Sequence, residues 1–236
     1  MNISASYYSS IGGRENNEDA VSMCESNENV IGMVADGLGG HENGELASKL
    51  AIKTINMEVS HRAVSIQTFR SAIEKANEAI IQDAGIFSMK TTIAAVWFDE
   101  KNALAANVGD TRIYQFRDRK IVYQSVDHSV AQMSYLAGDI SRDEIRTSKE
   151  RHTLTRALGG QDEVKVDVAS LELKKGDAIL LCSDGFWEKI KEEEMLEALS
   201  GVTDAGKWLA KMKERIKKEN DLKKGDNHSA VAIIIM

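Results

Sequence analysis

Apolar residues fall in short blocks along most of this chain and take a helical spacing in only three places. Blocks of strand length stand at residues 3–9 (ISASYYS), 30–35 (VIGMVA), 91–98 (TTIAAVWF), 103–108 (ALAANV), 111–116 (TRIYQF) and 120–125 (KIVYQS), with later ones at 164–173, 178–183 and 230–236. Helical spacing is clearest where Ile66, Phe69, Ile73, Ala76, Ile80 and Ala84 recur every three or four residues, and again at Ala205, Trp208, Leu209, Met212 and Ile216. Both stripes predict core-facing helices. A third helix is predicted from about Glu42 to Ser60, with Leu46, Leu50 and Ile55 turned inward. The stretch from His128 to His152 is polar and irregular, and reads as a surface insertion with short helices, the kind of loop that borders a site. Strand runs interrupted by a helical pair, rather than strict alternation, predict an α+β sandwich of antiparallel sheets with helices outside them.

The 236 residues contain no proline, no low-complexity tract and no fixed repeat, and their 42% apolar content can supply a substantial core. One domain spanning 1–236 is the expectation. A net charge of −7 disfavours nucleic acid or an anionic membrane as the main partner. No apolar run is long enough to span a bilayer and the N-terminus lacks the features of a signal peptide, so the expected location is cytoplasmic. Cys24 and Cys182 form no C-x-x-C pair, and Cys182 reads as a small buried residue. The five histidines show no H-x-x-x-H spacing, which removes the common zinc hydrolase pattern.

The acids change the picture. Asp36 follows the run VIGMVA, Asp110 follows ALAANVG and Asp184 follows AILLCS, while Asp226 precedes the last run and Glu18 and Asp19 precede AVSMCE. Antiparallel pairing sets the end of one strand beside the start of the next, so all six carboxylates can gather at one rim. Packed together they would raise one another's pKa values steeply. Hard divalent cations resolve this, and a set of oxygen ligands selects Mg²⁺ or Mn²⁺ over zinc or copper. Two such ions would activate a water for phosphate ester cleavage. In this reading Asp36 bridges both ions and Gly37 offers its carbonyl, its missing side chain leaving the approach open. Arg14, four residues before Glu18, is placed to bind two phosphate oxygens. Taken singly these signals are weak: Asp-Gly marks many turns, and an arginine beside acids is commonly a surface ion pair.

Other phosphate and acyl chemistries fail on pattern. After the strand-like run 30–35, a dinucleotide fingerprint would need a third glycine at position 42, which is Glu42. There is no G-x-x-x-x-G-K-[ST] motif, and Ser183 lacks the glycine two residues earlier that a nucleophile elbow requires.

In order and approximate spacing, RENNED (14–19), VADGLGGH (34–41), NVGDTRIY (107–114), LTRALGG (154–160), LLCSDGFW (180–187) and GDNHSAVAI (225–233) resemble the motifs of the metal-dependent type 2C Ser/Thr protein phosphatases, most of all the bacterial stand-alone branch. The resemblance implies a four-layer α-β-β-α sandwich of two antiparallel sheets flanked by helix pairs. It implies Asp36, Asp184 and Asp226 on a first Mg²⁺ or Mn²⁺, and Glu18, Asp36 and the Gly37 carbonyl on a second. Asp110 with Asp184 resembles a weaker third site. Asp19 is implied to hydrogen-bond metal waters, Arg14 to bind phosphate, and residues 128–155 to form a flap beside the cleft that influences substrate choice.

The implied reaction is attack of a metal-bridging hydroxide on phosphorus, with Arg14, Asp36 and Asp184 as the catalytic group. Where some members carry a histidine after the first Asp-Gly, this chain has Leu38; His41 follows three residues later, and a metal-bound water is the preferred acid. Lys90 stands before Thr91-Thr92 where relatives often have a small residue, Thr111 replaces a commoner serine, Asn227 is expected to order the turn around Asp226, His128 to position the flap, and His228 to lie at the surface. The expected partners are phosphorylated proteins and a cognate Ser/Thr kinase, with no nucleic acid or membrane and a monomeric chain. Hydrolysis of small phosphate esters, and a silent phosphoprotein-binding scaffold, remain alternatives at this point.

Overall fold

The computed structural model describes residues 2–26, 28–39, 43–84, 88–219 and 225–236. Its strands form two antiparallel sheets. One sheet orders β1 (Ile3–Ser10), β11 (His228–Ile235), β10 (Ala178–Cys182), β7 (Arg112–Arg117) and β8 (Lys120–Gln124). The other orders β2 (Asp19–Glu25), β3 (Val30–Leu38), β5 (Ile93–Phe98), β6 (Ala103–Val108) and β9 (Asp167–Ser170), with the short β4 (Lys90–Thr91) beside the end of β3.

Alternation along the strands sorts the core into layers. Val34, Val96, Ile179, Leu181, Val231 and Ile233 meet between the two sheets. The opposite faces of β3 and β5, through Met33, Ala35, Ile93 and Trp97, pack on α1 (Asn43–Val59) and α2 (Ile66–Ala84). On the far side Leu180, Ala232 and Ile234 pack with α6 (Glu192–Leu199) and α7 (Ala205–Glu219). Because β5, β10 and β11 are covered on both faces, they read as continuous apolar runs rather than alternating ones. The result is the four-layer α-β-β-α sandwich. At Gly32 a Cβ would stand only 3.2 Å from Ile233 Cδ1, so a bare backbone there lets the sheets approach.

Some expectations shift. Leu46 is 51% exposed; α1 turns the expected Ile55 inward together with Ala47, Ala51 and Val59, small and branched residues that let the helix lie close to the sheet. The expected strand at 91–98 is two elements, interrupted at Thr92, whose N–H bonds the Asp36 carbonyl. The run at 164–173 keeps only four strand residues, because its register with β6 covers Asp167–Ser170 and ends with one bond from the Leu171 N–H to the Ala103 carbonyl. The polar insertion contains α3 (Val130–Ala137) and α4 (Arg142–Ile145). Asp184–Trp187 forms a further short helix, α5.

Candidate metal centre

Asp36 lies within β3, which runs two residues past it, and not after the strand. Asp19 opens β2 and pairs in register with Asp36, so these two acids sit side by side by strand geometry. The backbone of Asp36 is clamped from the other side: its N–H donates to Thr92 Oγ1 at 3.0 Å and its carbonyl accepts from Thr91 Oγ1 at 2.8 Å. The glycine at 37 has a more local cause than the one expected. A Cβ there would overlap the Gly44 carbonyl at the start of α1 and lie 2.7 Å from the Glu18 carbonyl. What comes close to this segment is the protein's own backbone.

Asp184 begins α5 immediately after β10 and is buried. Beneath it Ser183 donates its hydroxyl to Asp19 Oδ2 at 2.8 Å and accepts from the Ser229 N–H at 3.0 Å, which gives that serine a supporting place. Asp110 occupies the turn between β6 and β7, where Gly109 takes φ +101°, and the Trp187 indole donates to the Asp110 carbonyl at 3.0 Å. Asn227 does more than order its own turn. It accepts from the Glu18 N–H at 2.9 Å and donates to the carbonyls of Ile11 and Asn16, tying the N-terminal loop to the start of β11. Arg14 on that loop forms a two-point pair with Asp226.

These groups converge. Arg14, Glu18, Asp36, Gly37, Asp110, Asp184, Asp226 and Asn227 line one cleft of about 710 Å³. Asp19 lies buried beneath its floor. Burial and the charges of Asp19, Asp184, Asp110 and Asp226 hold Asp36 well above the usual carboxylate range. Asp110 is raised likewise by burial and by Asp184 and Asp127. Asp19 is pushed up to about 7, burial outweighing its serine hydrogen bonds. Burial also raises Asp184, but it is outweighed by the sum of hydrogen bonds and charge around the carboxylate, those of His152 foremost, and that group stays low.

Several contributors escape a reading of motifs. His152 closes the cleft from the flap side, its Nδ1 at 3.1 Å from Asp184 Oδ2. The threonine pair that clamps Asp36 also escapes, although its position opposite β3 follows once β4 is recognised. Lys189 holds a buried ammonium without a hydrogen-bond partner among the described residues, and burial lowers its pKa against the pull of Asp226. His228 is buried rather than superficial, with Tyr8 Oη at 2.8 Å from its Nε2. His128 is buried too and braces the base of the insertion, accepting from the Gly109 N–H through Nδ1 at 3.1 Å. His41 lies outside the described residues.

A family model described as protein phosphatase 2C matches residues 8–224. The chain belongs to the protein phosphatase 2C family. Among relatives of this phosphatase, the serine/threonine phosphatase stp of Listeria monocytogenes is 32% identical over 197 residues, 79% of this chain and 78% of that protein. The phosphatase MsPP of Mycobacterium smegmatis, crystallised with cacodylate, superposes with a TM-score of 0.84 at 30% identity, covering 99% of this chain and 98% of that one. The catalytic domain of the serine/threonine phosphatase PstP, in complex with two manganese ions, gives a TM-score of 0.83 at 27% identity over 98% and 97% of the chains.

Proposed function

We propose that the cleft hydrolyses phosphoserine and phosphothreonine in proteins, with Mg²⁺ or Mn²⁺ held by its acids. Asp36, Asp184 and Asp226 would hold one ion, Glu18, Asp36 and the Gly37 carbonyl the second, and Asp110 with Asp184 a weaker third. The observation that carries this is the unmet demand of the rim: Asp19 Oδ1 and Asp184 Oδ1 are buried with no hydrogen-bond partner among the described residues, amid acids that cannot all ionise uncompensated. The donors are all oxygen, which suits hard cations. Once bound, the ions supply positive charge and Lewis acidity toward a water and the phosphoryl oxygens.

The chain's own side chains do the rest. Arg14 presents a planar fork that fits two phosphoryl oxygens. Asp19, steadied by Ser183, keeps a second oxygen without a hydrogen-bond partner among the described residues. Thr91, Thr92 and Asn227 fix Asp36 and Glu18 in place before any substrate arrives. His152 and Leu154 of the insertion narrow the entrance.

We read residues 1–236 as one domain with a flap at about 128–155, acting in the cytoplasm as a monomer opposite a Ser/Thr kinase. Among the described residues no helix is long and apolar enough to cross a membrane. The family's description as protein phosphatase 2C favours a protein substrate over a small ester, and the full set of proposed metal-binding acids in one cleft disfavours a silent scaffold. The test is phosphate release from a phosphothreonine peptide with Mn²⁺ or with EDTA, by the wild type and by Asp184→Ala. Release only in the wild type with Mn²⁺ is expected; full activity of the variant would sink the assignment.

A further inference from the structure

Beside the catalytic cleft runs a second groove of about 480 Å³, sharing Leu38, His152 and Leu154 with it. Its character is the reverse of its neighbour's. Lys90, Arg156 and Lys165 line it against one acid, Glu163. Lys90 and Lys165 are exposed and form no ion pair among the described residues, while Arg156 spends one nitrogen on Asp167 at 3.0 Å. In a chain of net charge −7, this is a built concentration of positive charge at the edge of the active site.

The backbone fixes its direction. β4 pairs Lys90 with Leu38 on β3, so Lys90 projects from the same face as Leu38 and Asp36. On its other side Thr91 exchanges two hydrogen bonds with Leu158, at 3.1 and 2.8 Å. Buried Asn77 holds the following turn, accepting from the Gly159 N–H and donating to the carbonyls of Gln161 and Asp162. Gly160 lies under the Lys90 stem, where a Cβ would stand 3.8 Å from Cε. Two residues along β3 and one strand across put the Lys90 Cα about 8 Å from that of Asp36. An extended peptide covers that in two or three residues at ~3.3 Å each.

Resting on the phosphatase reading of the neighbouring cleft, we infer that this groove binds an anionic side chain of the substrate, two or three residues from the phosphorylated one. Carboxylates and a second phosphate share that chemistry. Lys90 and Lys165 are specificity residues and take no part in the hydrolysis itself.

The test uses the full-length protein with Mn²⁺ and four substrates: p-nitrophenyl phosphate, and phosphothreonine peptides whose flanking positions carry alanine, aspartate or a second phosphothreonine. Wild-type kcat/KM should favour the anionic peptides about tenfold over the alanine peptide, through KM, and the advantage should shrink as salt is raised. In Lys90→Gln/Lys165→Gln the preference should fall toward unity, and in Lys90→Glu/Lys165→Glu it should invert, with p-nitrophenyl phosphate turnover unchanged in both. The relative rates on aspartate and second-phosphate peptides identify the natural source of the anion. Turnover of all substrates without an anionic preference, or a preference indifferent to both double variants, would overturn the groove while leaving the phosphatase intact. No turnover of any substrate by the wild type would overturn both readings.

Discussion

Arg14 and Asp226 face each other across the mouth of the cleft, joined at Nε–Oδ1 by 2.9 Å and at Nη2–Oδ2 by 2.8 Å. The residue assigned to phosphate and a residue assigned to metal thus satisfy each other. A cation taken up by Asp226 would compete with the guanidinium and free its fork for the substrate. The pair is exposed, so its contribution to stability is small. Arg14→Gln should therefore leave the melting temperature nearly unchanged and Mn²⁺ binding intact or slightly tighter. It should lower kcat/KM on a phosphopeptide by about 10²-fold, the loss of two charge-assisted hydrogen bonds. Calorimetric titration with Mn²⁺ beside steady-state kinetics separates the two effects; a parallel loss of Mn²⁺ affinity would count against it.

Gly37→Ala tests the packing of β3 on α1. The added methyl meets backbone on two sides, the Gly44 and Glu18 carbonyls, neither of which can swing away as a side chain would. A cost of about 3 kcal/mol or more is expected, read as a lower midpoint in urea unfolding. An unchanged midpoint would mean that the close approach is not what requires glycine here.

These two sites mark what a sequence discloses. The acids of the cleft are legible because they stand at the ends of apolar runs, and antiparallel pairing carries strand ends to a shared rim. Motif order adds the four-layer architecture and weight to Arg14, a weak signal by itself. Leu46 was misassigned because helical spacing identifies a stripe, while the choice between Leu46 and Ala47 depends on how closely α1 approaches the sheet. The Asp36 clamp by Thr91 and Thr92 depends on a break in the run at 91–98 that the pattern does not mark. His152 reaches Asp184 from 32 residues away through an irregular segment, a contact with no periodicity to betray it.

Asn227 is the tether between the two ends of the chain. Its amide accepts from Glu18 and donates twice to the loop before it, so Asn227→Ala removes three partly buried hydrogen bonds with the backbone of that loop. Destabilisation of about 2 kcal/mol is expected. Loss of Mn²⁺ affinity should accompany it, because Glu18 is no longer held at the rim. Asn227→Asp keeps the acceptor and should retain more Mn²⁺ affinity than the alanine variant. Equal affinities in both variants would show that the tether does not position Glu18.

The acid cluster makes the metal-free protein sensitive to base. Asp36 and Asp110 are held well above 3.8 and Asp19 near 7, so across the neutral range the folded protein binds more protons than the unfolded chain. Stability from this source is present at low pH and falls as pH rises through the folded values. His152, raised by Asp184, acts in the same direction. Asp184 has the opposite sign, but its contribution is lost only in acid, as pH falls below 3.8. Buried His128 and His228, both lowered, oppose the trend below about pH 6.5, so the informative window lies from about pH 6.5 to 7.5, where Asp19 gives up its proton. There the EDTA-treated protein should lose stability, by under about 1 kcal/mol from Asp19 alone, since most of that group's effect accrues between 3.8 and 7. Saturating Mn²⁺ should flatten the slope, because the ions replace the protons. Asp110→Asn should flatten it partly in EDTA by removing one of the repelling charges. Thermal melts at matched ionic strength measure all three, and an EDTA curve as flat as the Mn²⁺ curve would show that the acids do not repel one another as their burial and spacing require.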